Sequence, residues 1–506
     1  MSSRNSVYLG GRLTHDDVDA IARRRATPGL ASQARDAMAR CYAFVQRLAS
    51  SDAAVYGLTT GCGPLAGSRI TADDRTAFQR NLVRSHAVTL GPAHPVAFVR
   101  AAMTTRAHVL ALGCSGVAPE TVELLIGMLA RGIHPIVREV GGVGASGDLL
   151  ELAQIALAAF GEGDVEVDGR VVSAADALAA GGLSPLVPRY REGLALMNGT
   201  SFHTGVAAVL TVRALRVAAA AQVAGAMLFE ALGGHREALD PALHAARPHA
   251  GQRTVAERLA HLTRGSSLVR SDALAAHRQD PYTLRCTAQV VGPALDAILA
   301  AQAVIDTELN AASDNPLFLA DAERVVHGGN FHGQPVALAL DQLKTGLVTI
   351  GAMAERRIAR VLDAALSNGL PPFLIRGPAG LHSGFMGLQY CATTLAAENA
   401  QLAAPASVRS IPTNANNQDV VSMGMLAARH AARVVDNVER VIAIELLCAA
   451  QALDLRGVEG AGAGTRAAHT AVRRVATPLV DDRLLTPDVE AVIGLIDAGA
   501  FDRLDA

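Results

Sequence analysis

The sequence predicts a mainly α protein: a bundle of long helices with a small, loop-rich N-terminal lobe and one short β-hairpin. Three observations predict it. Half of the residues are hydrophobic and only 18% are charged, yet aromatics are 3% and tryptophan is absent, so alanine, leucine and valine must fill closely packed helical interfaces. Beyond about residue 206, apolar side chains recur at spacings of three and four over long stretches. The clearest strand signal is Val165-Glu166-Val167-Asp168-Gly169-Arg170-Val171-Val172, a hairpin by its Asp-Gly turn. The expected division is an N-terminal lobe over 1–205 and a helical bundle with C-terminal helices over 206–506, forming one continuous unit.

In chain order, Thr14-His15-Asp16-Asp17 marks a helix start within residues 12–50, which alternate polar turns and helical pattern. Val55-Tyr56-Gly57-Leu58-Thr59-Thr60-Gly61-Cys62-Gly63-Pro64 has too many glycines for regular structure and is a loop. A tyrosine there is commonly a packing anchor, but its hydroxyl is freely aimed. Helical pattern returns over 74–91, carrying Ser85 and His86, and again as two helices over 95–131 around Gly113-Cys114-Ser115-Gly116. A lone helix histidine is more often structural than functional.

The chain is organised around Gly141-Gly142-Val143-Gly144-Ala145-Ser146-Gly147-Asp148, a glycine-rich stretch feeding an apolar helix to Leu157, with Asp148 where an N-cap or first-turn acid stands. After the hairpin, Ser173 caps a short alanine-rich helix ended by Gly181-Gly182. Asn198-Gly199-Thr200 is a second glycine-marked turn, entering a long apolar helix. Pro335 suits a first helical turn, after which Leu340, Leu343, Leu347, Ile350, Ala354, Ile358 and Val361 form one stripe; Val435, Val438, Ile442 and Leu446 form another. Such stripes need partner helices, some of them supplied by other copies of the chain.

Composition bounds function. Net charge is -2 with a pI near 6.8, so no footprint for nucleic acid or an anionic membrane is visible, and the expected partner is a small molecule. Cys41, Cys62, Cys114, Cys286, Cys391 and Cys448 are scattered without metal-ligand spacing, so they read as reduced cytoplasmic thiols and no metal is expected. The N-terminal stretch lacks a signal-peptide apolar region and no apolar run is long enough to span a bilayer, so no membrane is expected.

The tripeptide Ala145-Ser146-Gly147 has a chemistry of its own. The Gly147 amide nitrogen can attack the Ala145 carbonyl carbon; one water leaves the ring and another leaves Ser146, giving 4-methylidene-imidazol-5-one. Gly147 permits close approach without a Cβ, Ala145 is small, and Ser146 supplies the departing hydroxyl. A plain turn or a phosphate cradle at a helix N-terminus remain alternatives, although no Gly-x-x-x-x-Gly-Lys-Ser/Thr pattern is present.

Six ordered stretches together resemble the methylidene-imidazolone ammonia-lyases and aminomutases acting on histidine, phenylalanine and tyrosine. They are Tyr56 to Gly61, Gly144 to Asp148, Glu192 to Thr200, Tyr282 to Arg285, Gly329-Asn330-Phe331-His332, and Asn417-Gln418-Asp419. The resemblance implies the fumarase/aspartase-like helical fold, a homotetramer with shared active sites, and no external cofactor beyond the ring formed from Ala145-Ser146-Gly147. It implies Tyr56, with a lowered pKa, as base, Arg285 as a bidentate clamp on the substrate carboxylate, and Asn198 and Tyr282 as orienting groups. Asp148 would support ring formation, and Gly63, Ser85, His86, Phe331 and Gln418 would line the pocket.

Ser85-His86 resembles the pair in histidine lyases and some tyrosine aminomutases, whereas Gln418 resembles the phenylalanine and tyrosine branches. On balance the sequence favours tyrosine, giving 4-coumarate, with histidine lyase giving urocanate, phenylalanine lyase and a 2,3-aminomutase as alternatives. Three departures stand out: Cys62 for phenylalanine, Leu150-Glu151 for a small residue followed by proline, and no pair of small residues after His86.

Overall fold

The computed structural model describes residues 5–271 and 279–504; Met1 to Arg4, at the head of the stretch read for a leader, lie outside them. The protein is mostly helical, 58% of it in 18 helices among the described residues, and its sheets have two or three strands each.

Local expectations translate directly. Thr14 and Asp17 form a reciprocal capping box on the helix His15–Ala22. The hairpin pairs Asp164–Val167 with Arg170–Ser173, and its turn places Asp168 at φ 49° and Gly169 at φ 77°, the double left-handed turn that fits strand twist. Ser173 caps Ala174–Ala180 by accepting from the Asp176 amide at 3.1 Å. Short strands escaped the sequence reading: Asn5–Leu9 pairs in parallel with Ala26–Leu30, and Leu90–Ala93 pairs with Arg138–Val140. Both pairs are two-stranded and contain Gly or Pro, so alternation is too brief to signal them.

The chain folds as two compact units, and neither is contiguous. The first comprises 1–212, 301–341 and 405–429; the second comprises 213–300, 342–404 and 430–506. This differs from the expected division at 205/206. The reason is helix length: Ser201–Ala231, Thr287–Leu309, Gln334–Leu362 and Gly424–Arg456 each have residues in both units, so a cut in sequence cannot follow a cut in space.

In the first unit, Phe44, Val45, Val55, Leu58 and Phe318 form a buried cluster, with Phe44 edge-on to Phe318 at 6.5 Å between centroids. Val55 and Leu58 flank Tyr56, so burying them fixes where the tyrosine loop starts. In the second unit, the guanidinium of Arg357 pairs with the carboxylate of Glu445 with no solvent contact. Arg213 reaches both Asp436 and Glu439 at 2.8 Å. The stripes Leu340 to Val361 and Val435 to Leu446 are wholly buried. Asn437 is buried too, donating to Glu398 at 2.8 Å and Asn399 at 3.0 Å.

The expectation that nothing is long enough to span a membrane needs correction. Ser201–Ala231, Thr287–Leu309 and Gln334–Leu362 are each long and apolar enough by length and composition. Uninterrupted apolar runs miss them because a few charged residues punctuate each helix. The apolar window of Ser201–Ala231 is 83% buried inside the protein, so its apolar surface is matched by protein packing.

Candidate active site

The loop bearing Ala145-Ser146-Gly147 is pinned along its length. Its C-terminal side meets Gly199: the Gly199 amide donates to the Ser146 carbonyl at 3.2 Å, and the Asp148 amide donates to the Gly199 carbonyl at 2.8 Å. Its middle is held by Ser422, whose hydroxyl donates to the Gly144 carbonyl at 3.0 Å, by the Gly333 amide donating to that same carbonyl at 3.2 Å, and by the Met423 amide donating to the Val143 carbonyl at 2.8 Å. Gly147 has φ 71°, and a Cβ there would lie 1.8 Å from the Gly199 carbonyl oxygen, so only glycine fits. Ala145 is buried, and the half-buried Ser146 hydroxyl accepts from Gln418 Nε2 at 3.0 Å. A small, clamped triplet with an addressed hydroxyl fits the methylidene-imidazolone ring.

Asp148 is the N-terminal flanking residue of the helix Leu149–Ala159, but its side chain caps a different helix. Oδ2 accepts from the backbone amides of Phe202 and His203 at 2.8 and 2.9 Å, and Oδ1 accepts from His203 Nδ1 at 2.6 Å. The expected cap is therefore relocated to the start of Ser201–Ala231, where a buried anion meets open amides and the helix dipole.

Tyr56 lies on the glycine loop as expected, its phenolic oxygen accepting from the Gly63 amide at 2.7 Å. Gln79 ties this loop to the next segment, donating to the Gly57 carbonyl at 3.0 Å while accepting from the Leu194 amide at 2.9 Å. The expected lowering of the Tyr56 pKa is not found: burial, then the neighbouring Cys62, push it up, against the Gly63 amide and the more distant Arg191, which pull it down. Cys62 is itself pushed up to about 11 by burial, so the residue departing from the family pattern adds no negative charge beside the phenol at neutral pH.

Gln418 stands at the end of a tight turn in which Asn414, Ala415 and Asn416 all have positive φ. Thr413 and Gln418 pair across it, amide to carbonyl, at 3.0 and 3.3 Å. A Cβ on Gly63 would come within 2.9 Å of Asn414 Nδ2. One turn thus touches the tyrosine loop at one end and Ser146 at the other. Phe331 is half-buried in the turn that ends at Gly333, itself bonded to Gly144.

Asn198 is buried, donating to Asp314 Oδ1 at 2.9 Å and to the Asn315 carbonyl at 3.2 Å. Asp314 also pairs with Arg191 at 2.8 Å, and burial is outweighed by the two guanidinium groups of Arg191 and Arg106, which hold its carboxyl low. The Asp314-Asn315-Pro316 stretch is thus the anchor of Asn198. Ser85 and His86 end the helix Arg75–His86, with 3.0 Å between Ser85 Oγ and His86 Nδ1 and 2.8 Å from that nitrogen to the Leu82 carbonyl. A carbonyl only accepts, so Nδ1 carries the proton and Nε2 is left as an acceptor when the ring is neutral.

Tyr282 and Arg285 belong to the second unit, where they meet each other. The guanidinium stacks over the phenol ring at 4.8 Å, and Arg285 Nε donates to the Asp280 carbonyl at 2.8 Å. Its terminal nitrogens make no hydrogen bond among the described residues, leaving the fork open to a carboxylate. Asp280 is held by His235 at 3.0 Å. Among the described residues, no group of three or more His, Cys, Asp or Glu side chains is placed to hold a metal.

Two residues of this site, Asp314 and His203, escaped sequence reasoning because their partners Asn198 and Asp148 are distant in sequence.

Long helices around a glycine-clamped Ala-Ser-Gly loop define an ammonia-lyase type of protein, and the comparisons agree. The model for aromatic amino acid lyases matches residues 13–474, and the chain belongs to that family, whose members are carbon–nitrogen lyases dependent on the methylidene-imidazolone ring. It is 47% identical to histidine ammonia-lyase of Gloeobacter violaceus, over 97% of this chain and 96% of that one. To histidine ammonia-lyase of Symbiobacterium thermophilum it is 46% identical, over 98% and 97%. Among solved structures it matches tyrosine aminomutase from Streptomyces globisporus with a TM-score of 0.94 at 40% identity, covering 99% and 98% of the two chains. Histidine ammonia-lyase from Trypanosoma cruzi matches with a TM-score of 0.91 at 37% identity, over 98% and 94%. The expectation of tyrosine as substrate is not supported by the relatives at 46–47% identity, both histidine ammonia-lyases, and the histidine alternative fits them better.

Proposed function

We propose that this chain eliminates ammonia from L-histidine, releasing urocanate, using a ring formed from Ala145, Ser146 and Gly147. The observation that carries the substrate is the 47% identity, over nearly the whole length of both chains, to a histidine ammonia-lyase. Gln418 donates to Ser146 Oγ at 3.0 Å in the unprocessed chain and accepts from Thr413 Oγ1 at 3.1 Å, so its amide lies beside the triplet. His86 Nε2, left as an acceptor, suits an imidazole N–H.

The ring, once formed, supplies an electron-poor alkene that turns the substrate amine into a better leaving group. Tyr56, in its phenolate form, takes the β-proton at its phenolic oxygen and becomes the neutral phenol; the Gly63 amide, which donates to that oxygen, favours the phenolate before the transfer. Arg285 receives the α-carboxylate on its open fork, with the Tyr282 ring fixing the plane of the guanidinium. Asn198, oriented by Asp314, positions the substrate against the loop; Phe331 packs on it; Asp148 supports ring closure. The working form is a homotetramer with sites shared between copies, acting in the cytoplasm; six unpaired cysteines support that compartment.

Purified protein incubated separately with L-histidine, L-tyrosine and L-phenylalanine tests the reading, with conjugated acids followed by absorbance and β-amino acids by chromatography. Urocanate is expected. Coumarate, cinnamate or a β-amino acid as main product would replace the substrate or the reaction.

A further inference from the structure

Glu151 is a carboxyl group in the first turn of Leu149–Ala159, with no solvent contact. Oε1 accepts from the Gly142 amide at 2.6 Å. A Cβ on Gly142 would fall 2.3 Å from Oε2, and one on Gly141 would fall 3.3 Å from Oε1, so the carboxyl lies close against the loop entry and would collide with any side chain at Gly142. Oε2 has no hydrogen-bond partner among the described residues. The charged groups acting on it are Asp148, which raises its pKa, and His203, which lowers it; burial is the largest cause, and the result is about 7.

A buried carboxyl with one idle oxygen costs free energy that a hydrophobic residue there would not. Its bond to the Gly142 amide falls at a part of the glycine loop that none of the contacts named for the triplet reaches. Gly199 pins the C-terminal side of the triplet, and Ser422, Gly333 and Met423 pin Val143 and Gly144. The entry at Gly141-Gly142 is held from the helix that follows the triplet, by Glu151. Ring closure needs the Gly147 nitrogen pressed on the Ala145 carbonyl carbon, so a loop closed from both ends pre-organises that approach.

We propose that Glu151 is a positioning residue for ring formation, acting as a clasp that ties the entry of the glycine loop to the helix leaving it. This rests on the reading that Ala145-Ser146-Gly147 forms the ring. Proline, which the family resemblance expects at this position, has no side-chain acceptor for the Gly142 amide.

The test follows ring formation itself. Parent, Glu151→Gln, Glu151→Asp and Glu151→Ala proteins are purified rapidly after brief cold induction, and intact mass is read over time for the loss of two waters, with Ser146→Ala as the unprocessed standard. Circular dichroism checks the fold of each. Glu151→Gln keeps an acceptor at the same reach and is expected within about threefold of the parent rate, because a side-chain amide oxygen still accepts one backbone N–H. Glu151→Asp withdraws the carboxyl by one methylene and Glu151→Ala removes it; both are expected to slow ring formation at least about tenfold, the factor that some 1.4 kcal/mol of lost pre-organisation gives. Should Glu151→Ala not fold, Glu151→Asp decides. Parent-like rates in the Asp and Ala variants, or equal slowing in Gln and Ala, overturn the clasp. A parent protein lacking the two-water deficit overturns the ring reading instead, and the clasp with it.

Discussion

The carboxylate of Asp148 holds His203 twice, at 2.9 Å through its backbone amide and at 2.6 Å through its ring nitrogen. One residue beyond the Ala-Ser-Gly triplet, the loop is thereby tied to the first turn of a helix of 31 residues. Burial alone would lower the pKa of His203, but the charge and hydrogen bond of Asp148 outweigh it and the imidazole is held protonated more firmly than usual. Replacing Asp148 by Asn leaves that cation and the helix N-terminus without their anion. We expect Asp148→Asn to lose about 3–5 kcal/mol of stability, the usual cost of breaking a buried pair from one side, and to retain unprocessed mass. Denaturant unfolding and intact-mass measurement check both.

Tyr56→Phe removes only the phenolic oxygen. The buried neighbours Val55 and Leu58 are untouched, so the loop should fold and the two-water deficit should remain. Turnover is expected to fall by roughly 10² to 10⁴, the range for a lost general base. A steady-state assay with rates near those of the parent would remove Tyr56 from its role.

Arg285→Lys keeps the charge and loses the fork. A lysine cannot contact both carboxylate oxygens in plane, nor stack on Tyr282 as a flat group. KM for the amino acid is expected to rise roughly tenfold to a hundredfold, corresponding to about 1.5–3 kcal/mol for a hydrogen bond to a charged group. Saturation kinetics on the purified variant read this.

Gly147→Ala places a methyl group in the Gly199 carbonyl and forces an L side chain into φ 71°. Backbone cannot yield as a flexible side chain would, so a loss of about 3 kcal/mol or more and no ring are expected. Thermal unfolding and near-ultraviolet absorbance would report them, and a stable variant carrying the chromophore would contradict this account.

Two buried histidines set an acid limit. His108 Nδ1 accepts from the Gly10 amide at 3.2 Å, and His134 Nε2 accepts from Arg100 at 3.0 Å, so both rings need a free lone pair. Burial, the largest cause in each, pushes His108 down to about 4, and burial with Arg100 and Arg24 pushes His134 down to about 3. A folded-state pKa below the unfolded value near 6.5 means the unfolded chain binds more protons between those values, so stability falls as pH drops through that window. For His108 the loss by pH 4 is about 3 kcal/mol. Thermal midpoints at a fixed scan rate should decline from pH 6.5 to 4, and less steeply in His108→Asn, whose side chain can keep an acceptor for Gly10 without titrating.

Much of this site was legible in the chain because its chemistry is local. Tyr56 and Gly63 sit seven residues apart on one loop, and Ala145, Ser146 and Gly147 are consecutive, so glycine content alone placed them in tight turns. Gln418 was legible as a site residue, but its contact with Ser146, 272 positions away in sequence, was not. The bonds of Asp314 to Arg191 and Asn198 span more than a hundred residues, beyond the reach of any local pattern.

By itself the sequence determined the helical class, the hairpin, the caps and the loop able to become an electrophile, since periodicity, turn residues and peptide chemistry act over a few bonds. Only the tertiary structure decided that Asp148 caps a distant helix, that Glu151 clasps the loop entry and that the phenol of Tyr56 is raised rather than lowered. Those outcomes depend on which groups share a dry interior, where burial and long-range partners set the cost of every charge.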